Sequence, residues 1–223
     1  MVFELFRGGG ESQVENIEAE IATMLSTSAE TFRMATDALT RRIEPEEIGR
    51  ALRKRDRSIN KVERAIRRRL IVHAGVRGAL ADAPILFVYM SIAKDIERVG
   101  DLTKDMWDLA AAGADMSSGE HLEAVDKVGE KVLWLIDETS RVFGQRDADA
   151  AIEILNAADL DVDAYEARMH AQLNEDAAGP AVATALFYRY VVRITAHLMN
   201  VLTAVVMPFE RLDYWDEDKI DRE

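Results

Sequence analysis

The chain of 223 residues contains no cysteine. That excludes a disulfide framework and any thiolate metal site, and nothing in the composition points to an oxidising compartment. It also lacks a long uninterrupted apolar run. The most apolar region, residues 185–209, is broken by Arg189, Arg193 and His197, which a spanning helix would rarely expose to lipid. The opening "MVFELFRGGGE" has no continuous apolar core of the secretory type. These absences lead to the expectation of a soluble, cytoplasmic protein. Catalytic signatures are missing too: there is no HExxH, no GxSxG and no GxxxxGK, so zinc protease, serine hydrolase and nucleotide-hydrolysing readings lack their minimum parts. Of the four histidines, His73, His121, His170 and His197, none stands three residues after a glutamate, which removes the Glu-x-x-His pairs of di-iron bundles. His197 is expected to be a packed or boundary histidine. The glycines Gly8 to Gly10 read as a hinge before the first helix rather than an anion cradle.

Positive charge is in deficit. The net charge is -13 and the sequence pI about 4.8, which argues against non-specific binding to nucleic acid or anionic lipid. Yet between Arg50 and Arg69 there are ten Lys or Arg against two acids, Asp56 and Glu63. Projected as a helix, most of these cations lie opposite Ile48, Leu52, Ile59, Val62 and Ile66. The face is either solvated and partly neutralised by neighbouring acidic helices, or a docking surface for an acidic partner formed by Arg53, Arg57, Lys61 and Arg64.

What the sequence does contain is helical periodicity. Val14, Ile17, Ile21, Met24, Leu25, Phe32, Ala35 and Leu39 keep the three-and-four spacing of a helix burying one stripe, over about residues 11–41. Pro45, followed by two acids, opens a second helix that should run to about Val72. "HAGVRGALADAP" then reads as a connection with Asp82 as a cap, and a third helix reaches about Ala112. Fourth, fifth and sixth helices are expected at about 120–143, 148–173 and 181–209, with "EDAAGP" as the last break. No stretch reads as a strand. The expectation is an all-α chain of two tandem three-helix bundles, residues 11–112 and 119–209, with an acidic tail over 210–223.

Three helices followed by three suggest an internal repeat. "RDRSINKVERAI" laid over "ADLDVDAYEARM" matches Asp56 with Asp159, Asn60 with Asp163 and Glu63 with Glu166. "DIERVGDLTKD" laid over "YVVRITAHLMN" matches Arg98 with Arg193, but Glu97 meets Val192, Asp101 meets Ala196 and Asp105 meets Asn200. The second half keeps the apolar pattern and loses the acids.

Glu97, Asp101 and Asp105 stand four apart on one helix face, with Lys94 and Lys104 close by, and Asp56, Asn60 and Glu63 cluster similarly on the preceding helix. Carboxylates gathered in this way repel one another unless something positive lies between them. A cation held by oxygen ligands answers this, and so do Lys or Arg partners. Asp95 projects towards the apolar side marked by Ile92, Val99 and Met106, where an unpaired carboxylate is costly. It is expected to have a partner, an Arg of the second helix or the neighbourhood of Arg98. Trp107, Trp134 and Phe143 read as core anchors.

"DIERVGD" resembles the third-helix signature of the PhoU family, and "RDRSINKVERAI" and "ADLDVDAYEARM" resemble the family's second-helix signature in its two halves. The resemblance implies a non-catalytic negative regulator of phosphate uptake. It also implies a homodimer that reaches the membrane only through its partners, the ATPase of a phosphate ABC transporter and a sensor histidine kinase. It implies, too, a divalent or trivalent metal ion (iron, zinc, manganese or magnesium) on acidic ExxxD motifs. Glu97 and Asp101 match the third-helix motif, and Asp56 and Asn60 the second-helix motif. Asp159 and Asp163 match its second copy, where Val192 and Ala196 depart from the partner motif, so a good site is expected only in the first half. The alternatives are a carboxylate-rich metal store or metal-dependent enzyme, and an accessory protein of another phosphate permease.

Overall fold

The computed structural model of the chain describes residues 11–77, 83–172, 180–208 and 211–212. The glycines Gly8 to Gly10, the cap at Asp82, most of the "EDAAGP" break and the tail beyond Leu212 lie outside them. The described elements are α1 (Glu11–Leu39), α2 (Pro45–Arg77), α3 (Ala83–Ala111), α4 (Gly119–Gln145), α5 (Ala148–Gln172) and α6 (Pro180–Val206). No strand occurs among the described residues. The chain is all-α, as its periodicity predicts.

The one displaced boundary is the end of α2, which runs past Val72 to Arg77. A single helical glycine costs about 1 kcal/mol relative to alanine. Gly75 is therefore too weak a break to stop a helix whose last turns are anchored by burial of Leu70 and His73. In α1 the many threonines are made compatible with a buried helix by bonding their own backbone: Thr31 donates to the Thr27 carbonyl, Thr36 to Phe32 and Thr40 to Thr36. No hydroxyl of these three enters the core unsatisfied.

α1, α2 and α3 pack on one another as a first bundle, and α6 packs on both α4 and α5 as a second. The bundles join along two seams, α1 against α4 and α3 against α6. α2 and α5 flank these four helices, α2 resting on α1 and α3, and α5 on α6. A continuous apolar core passes through both halves, from Phe32, Leu52 and Tyr89 to Ile136, Phe187 and Leu198. Of the three expected anchors, Trp107 and Phe143 are buried. Trp134 is 52% exposed, a correction to the expectation: it borders a small cavity with Ala157 and Ala158 of α5, where α4 and α5 pack loosely.

Polar cross-links tie the seams. On the α1–α3–α4 side, the Tyr89 hydroxyl donates to Glu18 at 2.6 Å, and the Arg146 guanidinium reaches the same carboxylate at 2.8 Å. Arg146 itself takes the left-handed conformation that ends α4.

Candidate functional site

α2 and α3 lie side by side, close enough that a Cβ on Gly100 would meet Ile59 at 3.0 Å. This contact sets the acidic residues of the two helices against each other. Asp56 and Asp101 are half-buried, and both carboxyls are pushed above the usual carboxylate range. Burial is the largest cause for each. Next comes the negative charge of Asp101 for Asp56, and that of Glu97 for Asp101. The structure thus brings Asp56, Glu97 and Asp101 into one electrostatic group.

Cations already answer much of this charge. Lys94 donates to Glu97 at 2.5 Å, Arg98 to Asp101 at 3.3 Å, and Lys104 bridges Asp105 and Asp108 at 2.9 and 3.1 Å. Glu63 is buried and pairs along its own helix with Arg67. Asn60 is half-buried, and its backbone carbonyl accepts a bond from Arg64. Among the described residues, no group of three His, Cys, Asp or Glu is arranged to hold a metal ion. One oxygen of each carboxylate is engaged: Glu97 Oε2 with Lys94, Asp101 Oδ2 with Arg98 and Glu63 Oε1 with Arg67.

In the second half Asp159 is half-buried and Asp163 exposed, each engaged with a neighbour. On α6, Val192 is buried and Ala196 partly so. Where the first half sets carboxylates across its helix pair, the second sets apolar side chains.

Asp95 has partners, but they are not arginines. Its carboxylate meets His197 Nδ1 at 3.0 Å and accepts from the Asn200 amide at 3.4 Å. Both come from α6, because α3 packs there along the seam and α2 lies on its other side. The expected arginine is corrected to a histidine and an asparagine of the opposite half. Arg98 serves Asp101 instead.

The cations of α2 divide into two groups. Arg55 pairs with Glu30 at 3.0 Å and Arg69 with Glu20 at 2.6 Å, both on α1. Arg53 lies over the Trp107 ring, 4.5 Å from its centre, while the indole N–H donates to the Pro45 carbonyl at 2.9 Å. Arg57 and Lys61 are exposed and form no ion pair among the described residues, and Arg64 is exposed as well.

No helix among the described residues is long and apolar enough to cross a membrane. Residues 21–110 match the PhoU domain family model. A curated relative from Synechocystis sp., a "phosphate-specific transport system accessory protein PhoU homolog", is 24% identical over 202 residues, 87% of this chain and 88% of the relative. Two crystal structures share the fold. PhoU from Pseudomonas aeruginosa has a TM-score of 0.75 at 22% identity, covering 89% of this chain and 97% of that one. The phosphate transport system regulatory protein PhoU from Streptococcus pneumoniae has a TM-score of 0.70 at 18% identity, covering 89% and 95%. Residues 21–110 thus carry a match to the PhoU domain, set in a fold that the chain shares with PhoU crystal structures over nearly nine-tenths of its length.

Proposed function

We propose that the chain regulates phosphate uptake without chemistry of its own, as a cytoplasmic homodimer that docks on the ATPase of a phosphate ABC transporter and on a sensor histidine kinase. The PhoU domain supports the transport context, as do its relatives, a phosphate-specific transport system accessory protein homolog and a phosphate transport system regulatory protein. The observation that carries docking is the outer face of α2. On a chain of net charge -13, it offers Arg57, Lys61 and Arg64 to solvent, with Arg53 steadied on Trp107. Such a stripe fits an acidic surface and selects against basic ones.

The test measures binding of the purified transporter ATPase and of the kinase's cytoplasmic part to the wild-type chain and to an Arg57→Glu, Lys61→Glu, Arg64→Glu variant. At least one partner should bind the variant about tenfold more weakly or worse, a loss of about 1.4 kcal/mol. Far-ultraviolet circular dichroism should be unchanged. Equal binding of both partners would remove α2 as the docking face.

A second reading, cation binding at Asp56, Glu97 and Asp101, is favoured by the mutual repulsion and burial that keep Asp56 and Asp101 above the usual carboxylate range despite the neighbouring cations. Elemental mass spectrometry of protein purified without chelator, beside a Glu97→Ala, Asp101→Ala variant, decides it. Metal in the wild type alone supports the site, and none in either removes it.

A further inference from the structure

In the first half α2 packs against both of its bundle neighbours, whereas in the second α5 packs on α6 and barely meets α4. The gap between α4 and α5 is a cleft of about 440 Å³, within the range of small-molecule sites. Its inner wall is apolar and aromatic. Val128, Tyr165 and Tyr188 are buried along it, and the two tyrosine rings lie 6.3 Å apart at a tilt of 34°. At its α6 side, Thr184 and His121 Nδ1 are hydrogen-bonded at 3.0 Å.

The charged lining divides by what it already touches. Lys131 of α4 and Asp161 of α5 bridge the two walls and satisfy each other. Lys127 on α4 and Arg168 on α5 are exposed at the cleft and make no ion pair among the described residues. Two carboxylates, Glu120 and Glu123, line the same space. Arg168 and Glu120 both act on the Tyr188 phenol, whose pKa rises through burial above all. Tyr165 is pushed up in the same way, so both hydroxyls remain neutral donors at physiological pH.

A ligand that uses all of this has a flat apolar body for the tyrosine wall. It carries an anionic group for two cations on opposite walls, and N–H or O–H donors for the glutamates. We propose that the cleft between α4 and α5 is a binding site for a nucleoside monophosphate, its phosphate held between Lys127 and Arg168 and its base against Tyr165 and Tyr188. Guanidinium and ammonium groups reaching from two helices grip a phosphate more selectively than one alone. Stacking on a tyrosine wall is tolerant of the base. This goes beyond the docking role and does not depend on it, since the cleft lies in the second half and the docking stripe on α2 in the first.

The test is isothermal titration of the full chain with adenosine monophosphate, adenosine and inorganic phosphate separately. The monophosphate should bind at one per chain, and adenosine and phosphate should each bind about tenfold more weakly or worse. A Lys127→Ala, Arg168→Ala variant should keep its thermal midpoint and lose about tenfold or more in affinity for the monophosphate. An Ala164→Trp variant, which fills the cleft from α5, should lose binding altogether. The absence of binding at millimolar monophosphate would overturn the proposal, and so would undiminished binding in both variants. Phosphate alone binding as tightly as the monophosphate would overturn the aromatic half of the site. None of these results bears on the α2 surface.

Discussion

At the scale of single residues, two glycines of one helix make opposite predictions. A Cβ on Gly49 would sit 2.5 Å from the Trp107 ring, which is fixed by its bond to Pro45 and by Arg53 over its face. Gly49→Ala is therefore expected to destabilise by about 1–3 kcal/mol. Gly75 faces open space in the same helix, so Gly75→Ala should stabilise by about 0.5–1 kcal/mol. Urea unfolding of both variants checks the pair. The carboxylates give a third prediction, with a definite sign. The folded-state pKa of Asp101 lies above its ordinary value of 3.8. Between the two values the folded chain binds more protons than the unfolded one, and stability falls as pH rises through that window. In metal-free protein, Asp101→Asn should raise the urea midpoint at pH 7, and the gain should vanish below the unfolded carboxylate's pKa. The ion pair lost with Arg98 is half-exposed and offsets little of this. That Glu97 and Asp101 would share a face was legible from their four-residue spacing, whereas the approach of Asp56 depends on how α2 packs on α3. What Asp95 would meet was not, because His197 and Asn200 are about a hundred positions away and the helical period of α3 names a face without naming its neighbour.

At the scale of elements, the six helices could be read because each buries one stripe against a neighbour, and burial writes a period into the sequence. The end of α2 could not, since a lone glycine weakens a helix locally while the burial of His73 that outweighs it is a tertiary fact. The cleft between α4 and α5 left no sequence signal either. It arises from how far apart two correctly placed helices lie, and no periodicity encodes that distance. The seam between α3 and α6 carries a prediction of its own. Asp95 and His197 are mostly buried and bonded across it. Asp95→Ala and His197→Ala should each destabilise by about 1–3 kcal/mol, and the double variant by clearly less than their sum. Additive losses in a double-mutant cycle would show that the contact does not join the helices energetically.

At the scale of the whole molecule, a core shared along two seams means that neither half buries its apolar faces alone. The full chain should unfold in one transition, with circular dichroism and intrinsic fluorescence coinciding in urea; two separated transitions would mark the halves as independent. The placement of charge has a further consequence. A chain of net charge -13 that carries an exposed row of cations along one flanking helix is electrically lopsided. In the field of an acidic partner it experiences a torque as well as a force, which turns α2 forward before any surfaces touch. Diffusional encounters would then arrive already oriented, and raising the ionic strength should slow association far more than it hastens release.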